Sequence, residues 1–91
     1  MADQELEDAI ARLRRVGHFD WILDGPDFVN SQDVAAKLIE MGMRDVTQNK
    51  VTGWFRDLDS AWETGRFGLN ASRADVIKLL AQRFVKKAVN E

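Results

Sequence analysis

The chain has no cysteine, one histidine and one proline among its 91 residues, and no long apolar run. Without cysteine there is no disulfide framework, no thiolate zinc site and no cysteine nucleophile, a composition that fits a reducing compartment. His18 has no second histidine or cysteine with which to share a metal, so neither a metal centre nor histidine catalysis is expected. Asp20, Asp24 and Asp27 lie loosely around Gly25 but lack the glutamate and the ligand spacing of a calcium loop. They read as caps and turn formers. No Gly-Lys-Ser/Thr follows Gly65 to Gly68, and no hydrolase triad can be assembled. The expectation is a protein that is not an enzyme, with no cofactor and no small-molecule substrate. Its N-terminal stretch, MADQELEDAIARLRR, is acidic and amphipathic, which reads as neither a secretory signal nor a membrane span. A cytoplasmic protein with no membrane partner is therefore expected.

Hydrophobic residues make up 45% and charged residues 31% of the chain, the balance of a soluble globular protein rather than of a disordered tail. Its length holds one core, so residues 1–91 are read as a single domain. The formal charge of −2 weighs against nucleic-acid binding, which draws its sequence-independent affinity from lysines and arginines. Charge is uneven, however. Asp3, Glu5, Glu7 and Asp8 lead the chain, whereas Arg73, Lys78, Arg83, Lys86 and Lys87 crowd its end. A weakly acidic protein can still present a basic face.

Leu6, Ala9, Ile10, Leu13 and Val16 recur at spacings of three and four and predict a first helix from about Asp3 to Arg15. Gly17 and His18 interrupt it. Phe19, Trp21, Ile22 and Leu23 suggest a short helical turn before Gly25-Pro26, the clearest break in the chain. Phe28 and Val29 are β-prone, and Asn30 or Ser31 can cap a helix carrying Val34, Ala35, Leu38, Ile39 and Met41, with Gly42 as its stop. After the connection from Met43 to Val46, Thr47 can cap a helix running to about Asp59, with Val51, Trp54, Phe55 and Leu58 on one side. The stretch from Asp59 to Glu63 fits a continued helix, while Thr64-Gly65-Arg66 fits a short hairpin flanked by Trp62 and Phe67. Ser72 and Asp75 resemble a capping box. They open a terminal amphipathic helix over 72–90 whose stripe is Val76, Ile77, Leu80, Ala81, Phe84, Val85 and Ala88. The fold class is thus mainly α, a small winged-helix-like helix-turn-helix domain of three to five helices with at most a rudimentary wing.

An entry strand, a supporting helix, a glycine-ended turn and a capped second helix are the layout of helix-turn-helix DNA readers, in which the second helix enters the major groove. Gln48, Asn49, Thr52, Gly53 and Arg56 would face outward, with Lys50 at the margin, and these types suit base edges and phosphates. With Thr47, Arg44 and Ser31 they complete the candidate DNA-binding set: Ser31, Arg44, Thr47, Gln48, Asn49, Lys50, Thr52 and Arg56.

The run from Ser31-Gln32 through Gly42 to Val46-Thr47-Gln48-Asn49-Lys50-Val51-Thr52 resembles the N-terminal DNA-binding domain of the arginine repressor family. The likeness covers residues 28–58. That family opens its recognition helix with Gln-x-x-Val-Ser, matched by Gln48, Val51 and Thr52; an arginine usually follows, where this chain has Gly53. The resemblance implies a winged helix-turn-helix that binds DNA. It does not carry over arginine sensing, because the stretch from Ala61 to Glu91 is too short and too helical for that family's arginine-binding domain.

The expected function is sequence-specific duplex DNA binding by a small regulator of transcription or of phage or plasmid replication. A homodimer is the natural working form, since two half-sites one helical turn apart restore the affinity that a single small module lacks. Ile77, Leu80, Phe84 and Ala88 of the terminal helix fit either a dimer interface or packing on the first helix. The alternative from another class is a helical interaction module, an adaptor or inhibitor that reuses the scaffold on a protein partner; it is motivated by the acidic balance and by Gly53. A DNA reader should gather Arg44, Lys50, Arg56 and Arg66 on one face, and an adaptor should break that face with Asp45, Asp57 and Asp59.

Overall fold

The structure, a computed structural model, describes residues 3–63 and 68–84. In chain order these form α1 (Gln4–Val16), α2 (Asp20–Leu23), β1 (Phe28–Asn30), α3 (Ser31–Glu40), α4 (Gln48–Arg56), β2 (Asn70–Ser72) and α5 (Arg73–Phe84). The domain is mainly helical, built on the α3–α4 helix-turn-helix, with a small antiparallel sheet beside it.

Four of the five described helices, all but the short α2, begin where a short polar side chain takes up an orphan amide hydrogen. Asp3 accepts from Leu6 N–H, Asn30 from Gln32 N–H and Thr47 from Lys50 N–H. Asn30, rather than Ser31, is therefore the cap of α3. Asp75 N–H donates to Ser72 Oγ, as a capping box requires, but the Asp75 carboxylate turns instead to the Ser60 hydroxyl at 2.7 Å. Gly42 ends α3 with φ of 95°. Its N–H bonds Ile39 O and that of Met43 bonds Leu38 O, the paired bonds of a left-handed helix end that a residue with a Cβ adopts only at a cost.

Two helix pairs hold the core: α1 packs on α5, and α3 on α4. Ala9 and Leu13 of α1, Val34, Ala35 and Leu38 of α3, Val51 and Phe55 of α4, and Val76, Ile77, Leu80 and Ala81 of α5 are all buried, with Phe19 and Ile22 of the α2 region filling between them. Burying each of the larger side chains contributes about 1.5–3 kcal/mol before chain entropy is counted. Ile77 and Leu80 are thus spent inside the chain. The stripe read as open to either packing or dimerisation packs internally at these two positions, while Val85, Ala88, Lys86 and Lys87 lie outside the described residues.

The strand partner of β1 comes from forty residues away. Phe28, Val29 and Asn30 pair with Ser72, Ala71 and Asn70, and Trp62 and Asn70 exchange two backbone hydrogen bonds of 2.9 Å. That pairing decides the ambiguous stretch after α4. The helix stops at Arg56, well short of Asp59, because the chain must come out of it to bring Ser60 onto Ser72 and Trp62 onto Asn70. The hairpin tip expected at Thr64-Gly65-Arg66 lies outside the described residues. Among the described residues no helix is long and apolar enough to cross a membrane.

Candidate nucleic-acid interface

The outer face of α4 follows from which of its residues are taken inward. Val51 and Phe55, four apart, are fully buried and pin the helix against α3. At a 3.6-residue period the opposite side carries Asn49, Gly53 and Arg56, at spacings of four and three, with Lys50 beside them. All four are exposed, as are Thr47 and Gln48 in the first turn and Arg44 in the connection. The nine residues of α4 span about 13 Å.

One of the candidate contacts, Ser31, is not accessible, and a second, Thr52, is partly engaged within the chain. Ser31 is fully buried: its hydroxyl accepts from Leu69 N–H at 3.0 Å and shares a 2.9 Å hydrogen bond with the Thr52 hydroxyl. Thr52 is half-buried and engaged on the same side. Both join α3 to α4, Ser31 from the core and Thr52 from the flank of the buried face. For Ser31 the signal lay in the spacing, because it stands three, four and seven positions before the buried Val34, Ala35 and Leu38. Hydroxyl chemistry suggested a phosphate contact where helical phase pointed inward.

Charge on this surface is sorted along the chain. Within α4 there is no acid at all, and it is the only described helix whose first turn lacks one. Asp45 precedes α4, and Asp57 and Asp59 follow it, all exposed. Lys50 reaches back so that its Nζ donates to the Asp45 carbonyl at 2.8 Å, placing its charge over the turn. Among the described residues Arg44, Lys50 and Arg56 belong to no ion pair.

The basic terminal helix makes a smaller contribution than its composition suggests. Lys78 is held by Asp3, with Glu5 at 3.8 Å. Arg73 donates to the carbonyls of Gly25 at 2.6 Å and Leu23 at 3.3 Å. Arg83 stacks over Trp54 at 4.2 Å, and Phe84 meets the same indole edge-on at 6.0 Å. These three cations tie α5 to α1, to the α2 loop and to α4. They serve the fold first, and the free positive charge of the candidate face belongs to Arg44, Lys50 and Arg56.

The tryptophans divide by environment. Trp21 and Trp54 are half-buried against the core, whereas Trp62 is exposed and meets the exposed Phe28 edge-on at 5.2 Å. His18 is also exposed, in a left-handed conformation at φ 69° directly after α1.

The chain matches no family model, no curated protein and no solved structure.

Proposed function

We propose that the protein binds duplex DNA with α4 laid in the major groove, and that it acts as a small sequence-specific regulator of transcription or of phage or plasmid replication. One observation carries this: the exposed side of α4 is polar and itself free of acids, and carries or adjoins Arg44, Lys50 and Arg56, which form no ion pair among the described residues, on a helix locked to α3 by Val51, Phe55 and the Ser31–Thr52 hydrogen bond. Rigid backing matters, because base readout needs side chains held in register with the groove. In this arrangement Asn49 and Gln48 offer bidentate amides to adenine, Arg56 offers its guanidinium to guanine or phosphate, and Arg44 and Lys50 serve phosphates. The resemblance of residues 28–58 to the arginine repressor DNA-binding domain supports the same assignment. Two protomers on half-sites one helical turn apart would supply the affinity that one module lacks; their contact must use residues other than Ile77 and Leu80.

A protein-interaction module is the second possibility, favoured by the exposed Phe28–Trp62 pair on the sheet and by the exposed Asp45, Asp57 and Asp59 that bracket α4. The deciding experiment is a fluorescence-anisotropy titration against a mixed-sequence duplex at low and at higher salt. DNA binding predicts an affinity that falls with salt, with a log–log slope of about 0.9 per phosphate neutralised. Absence of binding at tens of micromolar protein would reject it in favour of a protein partner.

A further inference from the structure

Glycine is a poor helix former, yet Gly53 sits in the middle of α4. The other described glycines each have a reason inside the chain. Gly17, Gly42 and Gly68 adopt positive φ, and a Cβ on Gly25 would come within 2.6 Å of the Trp21 carbonyl oxygen. Gly53 has neither. Its backbone is ordinary helix, and a Cβ built on it meets no atom within 4 Å among the described residues outside its own helix and chain neighbours. Among the described residues nothing uses the missing side chain.

Its position indicates what does. Gly53 lies at the centre of the exposed stripe, four residues after Asn49, three after Lys50 and three before Arg56. A bare backbone there lets a partner surface come closer to the helix than any side chain would permit. We infer that Gly53 is the point of closest approach between α4 and the floor of the DNA major groove, so that Asn49 and Arg56 on either side both reach base edges. The inference rests on the DNA-binding proposal and adds to it a residue that sets how deeply the helix seats.

Two substitutions test it, with thermal melting and anisotropy on the same duplex after the wild-type titration has established binding. Gly53→Ala should raise the melting temperature by about 4 °C, because alanine is the better helix former and its methyl meets open space. It should also weaken DNA binding about tenfold, as overpacking a close contact does. Gly53→Arg adds a cation and should still weaken binding. Equal or tighter binding by either variant would overturn the inference, since it would mean room remains between helix and groove. Failure of the wild-type protein itself to bind DNA is a separate result, visible before any variant is made, and would remove the DNA-binding proposal and this inference together.

Discussion

The hydroxyls of Ser31 and Thr52 lie 2.9 Å apart, across the packed surfaces of α3 and α4, and the same Ser31 oxygen accepts the amide hydrogen of Leu69. Ser31 N–H in turn donates to the Leu69 carbonyl at 2.8 Å. One buried serine therefore ties together the supporting helix, the candidate recognition helix and the chain leading into β2. Replacing it leaves Leu69 N–H and the Thr52 hydroxyl without this partner at a partly buried junction. Ser31→Ala should cost about 1–3 kcal/mol and Thr52→Val about 1 kcal/mol in urea unfolding. The pair should couple by at least about 0.5 kcal/mol in a double-mutant cycle. Strict additivity would mean the hydrogen bond contributes nothing.

Gly68 closes the same junction from the other side. Its φ is 85°, and a Cβ there would lie 2.5 Å from Ser31 Oγ and 3.2 Å from Asn30 Oδ1. Gly68→Ala should therefore lower stability by more than about 2 kcal/mol, combining backbone strain with a contact that displaces the serine. A melting temperature within a degree of the wild type would show that the turn can relax.

The Asp3–Lys78 pair should give stability a mild pH dependence. The Asp3 carboxyl is held below its ordinary value, first by the hydrogen bond from Lys78 and then by that from Leu6 N–H, while the bond to Asp3 raises the Lys78 ammonium. A lowered carboxyl pKa stabilises the fold above its unfolded value and the contribution is lost as pH falls below that. A raised lysine pKa stabilises below its unfolded value and the contribution is lost as pH rises above it. The clamp between α1 and α5 is thus complete from about pH 4 to pH 10. Asp3→Asn keeps a capping side chain but removes the charge, so its melting temperature should change less than the wild type's between pH 5 and pH 3. Parallel curves would contradict the assignment. Because both groups face solvent, added salt should shrink the difference.

On the outer face of α4, replacing Gln48 and Lys50 together by alanine should weaken DNA binding while leaving thermal stability nearly unchanged. Both are exposed, and among the described residues the Lys50 side chain hydrogen-bonds only to the Asp45 carbonyl at the surface. The salt slope should also fall by about 0.9 if Lys50 neutralises one phosphate. Unaltered affinity would take α4 out of the groove. Ser31→Ala, at a temperature where it is folded, should weaken binding less than the double replacement and leave the salt slope unchanged, because it loosens the backing of α4 without removing a cation from its exposed face.

Local structure was legible in residue spacing because a helix announces itself by a 3.6-residue period and a capped start. The apolar phases of α1, α3, α4 and α5, the caps at Asn30 and Thr47, and the stop at Gly42 all lie within a few residues of the positions they control. The polar outer positions of α4 follow from that same phase. Tertiary structure decided whatever depends on residues far apart in the chain. Pairing of β1 with β2 across some forty residues stops α4 at Arg56. The reach of Arg73, Lys78 and Arg83 to distant partners removes charge that composition credits to an open basic face. Ser31 and Thr52 show the boundary between the two. Spacing placed Ser31 on an inward phase and Thr52 on the flank of one, but only the approach of α3, α4 and Leu69 to a common point joined the two hydroxyls, since a polar group buried as Ser31 is costs stability unless it is hydrogen-bonded.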